Sequence, residues 1–376
     1  MRTIHYIHEL TDWPNFHWDR LALSKTLADV RHRQGRLVGR MEGLGFKLQQ
    51  EAVLETLTED VLKSSEIEGE KLDINQVRSS VARGLGMDIG GLKTVDRHIE
   101  GVVEMMLDAT RRYQYPLTTE RLFSWHAAMF PTGRSGMSRI RVGEWRDDAA
   151  GPMQVISGRI GHEHVHYEAL AAPRLNDEMS RFLEWFNGRH EADWVVNAAI
   201  AHLWFVTVHP FEDGNGRIAR AIADMALARS EQSSQRFYSM SAQIQRERAD
   251  YYGILEKTQK GTMDVTLWMD WFLNCLGRAI DEAQKTLESV LIKARFWESI
   301  AKLSLNERQR HVLNLMLDDF EGKLTTSKWA KLTKSSQDTA ARDIVRLVEH
   351  GILVRNSGGG RSTSYSLKLA GNSENA

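Results

Sequence analysis

Apolar residues recur at spacings of three and four over residues 17–60, and this period predicts amphipathic helices. The pattern continues through residues 61–110, interrupted near Gly84, Gly86 and the Gly90-Gly91 pair. Residues 139–167 differ. There Gly143, Gly151, Pro152, Gly158 and Gly161 separate short β-rich runs, MQVIS and HVHYE, which predicts loops and a hairpin set into a helical body. Helical spacing returns over 173–187. Residues 194–211 then run for 18 positions without a formal charge, but they include Asn197, His202 and His209 and end at Pro210–Phe211. That length is at the bottom of the membrane-spanning range and its polar groups would be costly in lipid, so the run predicts a buried central helix. Further helices are expected after Gly216 (RIARAIADMALARS), over 241–258 and over 263–300. Within the last of these, Trp268, Trp271 and Phe272 repeat at helical spacing and are read as core.

From Asn306 onward the order is helix (NERQRHVLNLMLDDF), short helix (SKWAKL), a turn at Thr333-Lys334, a third helix, then two short strands around a glycine-rich basic tip. That is the order of a winged helix. Residues 302–376 hold 12 Lys+Arg and 8 Asp+Glu, a local excess of positive charge. Lys328, Lys331, Lys334, Arg342, Arg346, Arg355 and Arg361 could track phosphates, while Asp338 and Asp343 on the third helix work against it, so DNA and a docked protein both stay open as partners.

Composition narrows the classes. In 376 residues, 42% are hydrophobic and 26% charged, which excludes a disordered chain. The formal net charge is −1, so the whole chain is no polycation built to coat nucleic acid or anionic lipid. One cysteine, Cys275, excludes an internal disulfide and an all-cysteine zinc site. The first residues carry no apolar core of signal-peptide type, and a cytoplasmic protein without membrane attachment is expected.

The chemistry concentrates in one string, His209-Pro210-Phe211-Glu212-Asp213-Gly214-Asn215-Gly216-Arg217-Ile218-Ala219-Arg220. Proline ends the buried helix. Gly214-Asn215-Gly216 can adopt positive φ and turn successive amides inward as an anion nest. The next helix adds its positive dipole end. Arg217 and Arg220, three apart, project from one side of its first turns. Asp213 can hold Mg²⁺ against phosphate oxygens, and His209 can take a proton near neutral pH. Nest, arginines, metal ligand and base together describe phosphoryl or nucleotidyl transfer from a polyphosphate.

The string resembles the Fic family motif, H-x-F-x-[D/E]-G-N-G-R-x-x-R, at every defined position. The resemblance implies a protein adenylyltransferase that moves AMP from ATP to a Ser, Thr or Tyr hydroxyl of a target protein or of itself. It assigns His209 as the catalytic base, Phe211 as the core anchor of the loop and Asp213 as the Mg²⁺ ligand. Gly214, Asn215, Gly216, Arg217 and Arg220 would bind the phosphates. Upstream, Ser64-Ser65-Glu66-Ile67-Glu68-Gly69 is similar to the family's inhibitory helix, [S/T]-x-x-x-E-[G/N]. Ser64 and Glu68 share a helix face, and the resemblance pairs Glu68 with Arg220, with Gly69 ending the helix. Gly143-Glu144-Trp145-Arg146 is similar to the segment before the Fic flap, and the flap, about 153–168, would align a target peptide by strand addition. Ser241-Ala242-Gln243-Ile244 with Tyr251 and Tyr252 resembles the region lining the adenine pocket, although consecutive helix residues diverge and one tyrosine at most faces a pocket.

The fold class expected is therefore mostly α: a Fic-type helical core with a β-hairpin flap, plus a small C-terminal winged helix. The expected divisions are 1–110, a helical N-terminal region with the inhibitory helix; 111–300, the catalytic core; and 301–376, the winged-helix-like domain. A homo-oligomer, in the simplest case a homodimer, is expected. Three readings remain open beside the transferase: a nucleotide-sensing transcription regulator that binds DNA through the winged helix, another nucleotide donor, and removal of AMP. His162, His164 and His166 alternate and would share one strand face, the pattern of a zinc site, but the sequence places no cysteine or carboxylate to complete it.

Overall fold

The computed structural model describes residues 6–87, 94–157, 164–188, 192–317, 322–356 and 363–368. The expected breaks at Gly90-Gly91, Gly158 and Gly161, and the residues His162 and Arg361, lie outside these. The Asp19 carboxylate accepts from the amides of Leu21 and Ala22 and so starts helix α1 (Arg20–Glu42). Helices α2 (Phe46–Ile67), α3 (Ile74–Gly84, capped by Asp73), α4 (Arg97–Arg111) and α5 (Thr119–Met129, capped by Thr118) come after it. Two small antiparallel hairpins are next. Strands β1 (Arg134–Ser135) and β2 (Ser138–Arg139) form the first; β3 (Gln154–Ser157) and β4 (His164–Glu168) form the second, with a register shift between Val155 and Ile156.

Helix α6 (Leu175–Asn187) leads to α7 (Trp194–Val208), whose residues after Trp194 are all buried. Its apolar surface runs all round, as a central helix requires. Helix α8 (Asn215–Glu231) packs against it, both lined by alanines that let the backbones approach. Where one helix was expected over 241–258 there are two, α9 (Met240–Arg246) and α10 (Arg248–Gln259), divided at Glu247. Helix α11 (Thr266–Ser299) is long, and Trp268 and Phe272 are buried in it as anticipated. Among the described residues no helix is long and apolar enough to cross a membrane.

The chain divides into two compact units, Met1–Gln284 and Lys285–Ala376. The expected boundary at 110 does not appear as a division. Helices α1 and α2 are fixed onto later segments of the first unit by polar contacts: Arg31 Nε to Asp193 Oδ2 at 2.9 Å, Gln34 Nε2 to Glu231 Oε1 at 2.6 Å, and Ser239 Oγ to Asp60 Oδ1 at 2.5 Å. The other division falls inside α11, earlier than residue 300, because Phe296 and Ile300 pack into the core of the second unit. That unit consists of α12 (Glu307–Leu317), α13 (Thr326–Thr333), α14 (Gln337–Glu349) and an antiparallel pair, β5 (Leu353–Arg355) and β6 (Tyr365–Leu367). Its core centres on Trp329, Val312, Leu313, Ile344 and Leu347. Asp343 is buried and paired with Arg308 at 2.9 Å and Asn306 at 2.8 Å, while Arg342 and Arg346 on α14 are exposed.

Candidate active site

Helix α7 stops because Pro210 cannot continue it, and His209 turns the chain with φ 53°, a left-handed value rare outside glycine. Arg146, itself buried, holds that turn from outside. Its Nε donates to the His209 carbonyl at 2.8 Å, its amide to the Pro210 carbonyl at 2.9 Å, and its Nη1 to Asp148 Oδ1 at 2.9 Å. Nδ1 of His209 lies 3.3 Å from the Val206 carbonyl. A carbonyl only accepts, so Nδ1 carries the proton and Nε2 keeps its lone pair. Burial pushes the His209 pKa down to about 4, so the ring is neutral at physiological pH.

Phe211 is fully buried and anchors the loop, as the sequence led us to expect. His126 stacks on it at 4.2 Å and 7°, with Trp145 at 5.0 Å. The loop conformation differs in one respect from the nest anticipated at Gly214-Asn215-Gly216. Only Gly214 has positive φ, 80°, while Asn215 and Gly216 already belong to α8. The Asn215 side chain faces back instead. Its Oδ1 accepts from the Phe211 amide at 2.9 Å and its Nδ2 donates to the Phe211 carbonyl at 2.8 Å, clamping the loop shut. The first intrahelical bond runs from Ile218 N to Gly214 O, which leaves the amides of Asn215, Gly216 and Arg217 at the positive end of α8.

The opposing wall is the end of α2. Gly69, φ 86°, reverses the chain; its amide bonds the Glu66 carbonyl at 3.0 Å and the Glu70 amide the Ser65 carbonyl at 3.0 Å, a Schellman motif. This turn sets Glu68 and Glu70 on either side of the glycine and aims both at the motif arginines. Arg220 Nη2 donates to Glu68 Oε1 at 2.8 Å and to the Ser64 carbonyl at 2.8 Å, and its Nε to Ser64 Oγ at 2.9 Å. Burial alone would lower the Arg220 pKa, but the Glu68 carboxylate together with Tyr251 and Tyr252 leaves it raised. Arg220 Nη1 is buried with no hydrogen-bond partner among the described residues. It lies 3.2 Å from where a Gly216 Cβ would stand, and that Cβ would fall 2.0 Å from Glu68 Oε1. The carboxylate thus sits directly on the first turn of α8, where an anion belongs.

Arg217 is held by a residue that sequence reasoning did not single out. Its Nη1 donates to Glu70 Oε2 at 2.8 Å, and Glu70 Oε1 lies 2.6 Å from Nε2 of His98. The His98 contact raises the histidine pKa and lowers that of Glu70. Asp213, 3.6 Å from Arg217, accepts from Ser135 Oγ and the Gly214 amide. Its carboxylate is 38% exposed, a hard oxygen donor open to solvent beside the motif arginines, and it fits Mg²⁺. Of the two tyrosines, Tyr252 reaches the site, its hydroxyl 3.4 Å from Glu68 Oε2. Tyr251 is buried, with its hydroxyl 2.9 Å from His202 Nε2 and its ring against Trp271, so it backs the site. Glu70 stands two positions after Glu68, and that proximity is the one sequence signal for it. Arg146 stood in the sequence only as part of the segment before the flap, without its role at the His209 turn, and His98 and Ser135 come from distant segments and leave no signal.

Residues 116–227 match the Fic/DOC family, and this stretch is a Fic/DOC domain. Residues 6–87 match a domain of unknown function, DUF4172. The chain is 25% identical over 233 residues to protein adenylyltransferase Fic of Drosophila virilis, covering 60% of this chain and 42% of that protein. It is 30% identical over 166 residues to protein adenylyltransferase fic-1 of Caenorhabditis briggsae, covering 44% and 30%. The chain thus spans under half the length of these relatives. A crystal structure of a Fic family protein from Desulfovibrio desulfuricans G20 superposes with a TM-score of 0.54 at 19% identity, covering 94% of this chain and 97% of that one, a likeness of fold.

Proposed function

We propose that this chain is a protein adenylyltransferase, moving AMP from ATP to a Ser, Thr or Tyr hydroxyl and restrained by Glu68. The observation that carries the reading is the convergence at one helix start of His209, the α8 amides, Arg217 and Arg220, with the Glu68 carboxylate seated among them. In the reaction, Nε2 of His209 takes the proton of the attacking hydroxyl. The hydroxyl oxygen bonds to the α-phosphorus, the α–β phosphoanhydride bond breaks, and pyrophosphate leaves. The α8 amides and Arg220 Nη1 face the phosphates, and Arg217 and Arg220 neutralise charge that grows on them. Asp213 would hold Mg²⁺, which supplies further charge neutralisation on the phosphates. Tyr252, at the rim, bounds the nucleotide side, and Gly216 admits the phosphate because it has no Cβ. The names of the Drosophila and Caenorhabditis relatives support the activity.

Glu68 competes for this arrangement. While it pairs with Arg220 and covers Gly216, a terminal phosphate has neither its arginine nor its place, and ATP cannot lie in line with the hydroxyl. His209→Ala tests the assignment. Labelling by ATP, read by mass spectrometry, should fall by about 10²–10⁴-fold while ATP binding persists, since the histidine acts on the proton and not on the phosphates. Labelling at the wild-type rate would refute it. A second reading, a nucleotide-sensing DNA-binding regulator, draws on the three helices and hairpin of Lys285–Ala376 with exposed Arg346. It predicts ATP binding with no AMP-modified residue in any variant. Removal of AMP, with Glu68 orienting a water, is read by incubating an AMP-modified target with wild type and Glu68→Gly.

A further inference from the structure

The alternating histidines of β4 lacked a carboxylate in the sequence, and the fold supplies one. Helix α10 packs against β4 and presents Glu256 to them. Nδ1 of His166 lies 2.6 Å from Glu256 Oε2, and Nε2 of His164 lies 3.8 Å from Glu256 Oε1. The two imidazole rings are 4.6 Å apart, and the three ligand atoms all lie within 4.8 Å of one another. We propose that His164, His166 and Glu256 form a zinc site joining strand β4 to helix α10.

The chemistry is that of a two-histidine, one-carboxylate zinc centre, with a fourth position left to water. Zinc–nitrogen and zinc–oxygen bonds are about 2.0–2.2 Å, so ligand atoms in a tetrahedron lie roughly 3.4 Å apart. The pair at 2.6 Å needs to open slightly and the pair at 3.8 Å to close slightly, within the reach of side-chain torsions. A supporting contact is already in place. Nε2 of His166 lies 2.6 Å from Ser157 Oγ on the paired strand. Without metal, Nδ1 donates to the Glu256 carboxylate; zinc would take the place of that proton, and Nε2 would then donate to Ser157 Oγ, the outer hydrogen bond that zinc-bound histidines use to fix their tautomer. Lys260 Nζ now bonds Glu256 Oε1 at 2.6 Å. The lysine acts as a cation in the place a metal would take, and its flexible stem lets it withdraw to solvent as the ion enters. The site stands whether or not the chain transfers AMP, because none of its residues belongs to the His209 loop or the end of α2.

The test uses the full chain, freed of metal by a chelator and titrated with Zn²⁺ by equilibrium dialysis and with Co²⁺ by absorption. Wild type should take up one equivalent more than Glu256→Gln or His164→Ala and show the visible bands of tetrahedral Co²⁺. Both variants should lose that equivalent while keeping the wild-type circular dichroism, since neither residue is part of the core. Ser157→Ala should weaken binding by about 10–100-fold without abolishing it, the effect of losing an outer hydrogen bond. Zinc should also slow amide exchange in β3 and β4 of wild type and not of Glu256→Gln. Equal uptake by wild type and Glu256→Gln, or no uptake by either, would overturn the proposal.

Discussion

At the residue scale, the two motif arginines are each held by a carboxylate from one helix end. The Schellman turn at Gly69 places Glu68 at the helix C-cap and Glu70 two beyond it, so a single backbone reversal delivers both. Glu68→Gly should therefore raise AMP transfer. A hydrogen bond to a charged group contributes about 1.5–3 kcal/mol, and at about 1.4 kcal/mol per decade its removal corresponds to a ten- to hundredfold gain. Auto-labelling with ATP and Mg²⁺ held fixed reads this, with Glu68→Gly/Arg220→Ala as the control that must lose the gain, because the phosphate then lacks its partner. Equal labelling of wild type and Glu68→Gly would reduce residues 64–69 to an ordinary helix end. Glu70→Gln frees Arg217 in the same way. Its effect should be smaller, since Arg217 also faces Asp213, and it should add to that of Glu68→Gly.

At the element scale, close approach decides which positions tolerate change. Gly101 on α4 lies where a Cβ would stand 1.8 Å from the Ala128 carbonyl of α5. That obstacle is backbone and cannot rotate away. Gly101→Ala should therefore push α4 and α5 apart and cost about 3 kcal/mol, at the upper end of overpacking. At about 2–4 °C per kcal/mol for domains of 150–250 residues, a loss of about 6–12 °C, less in this longer chain, is expected by calorimetry. Gly253→Ala in α10 is the contrast. It meets nothing within 4 Å and should raise stability by about 0.5–1 kcal/mol through helix propensity alone. A drop for both variants, or for neither, would show that the α4–α5 crossing is not the cause.

At the scale of the whole molecule, buried histidines tie stability to pH. Burial lowers the pKa of His8 to about 4, of His126 to about 4, of His202 to about 3 and of His209 to about 4. In the unfolded chain each titrates near 6.5. Between these values the unfolded state binds more protons, so stability is lost as pH falls from about 6.5 toward 4. His98 works in the other direction, raised by Glu70, and its contribution is present at low pH and lost as pH rises through its folded pKa. Four against one, the melting temperature should fall on acidification, and His202→Gln should flatten the slope. A melting temperature unchanged between pH 7 and 5 would contradict this. The division at Gln284 gives a second expectation. A chain ending there keeps the α7–α8 turn, the α2 end and the β3–β4 hairpin, and should fold and bind ATP. An insoluble product would mean that the two units share a core.

What sequence alone determined is what local covalent chemistry encodes. Proline at 210 ends a helix, glycine at 214 permits a left-handed turn, and arginines three apart share one side of the helix that starts there. The uncharged run at 194–211 had to be buried, and period-three-and-four spacing marked the helices. Each of these depends on a residue and its near neighbours. Tertiary structure decided which distant groups meet. Glu70 and His98 hold Arg217, Arg146 fixes the His209 turn, Glu256 closes on the β4 histidines, and Asn215 clamps Phe211 where an anion nest was expected. It also joined residues 1–110 to the later helices of the first unit and moved the second division into α11, because polar and apolar side chains far apart in sequence find their partners only when helices pack. Helical period says which face is buried, but not against which partner it is buried, and that choice is made by the three-dimensional fit of the whole chain.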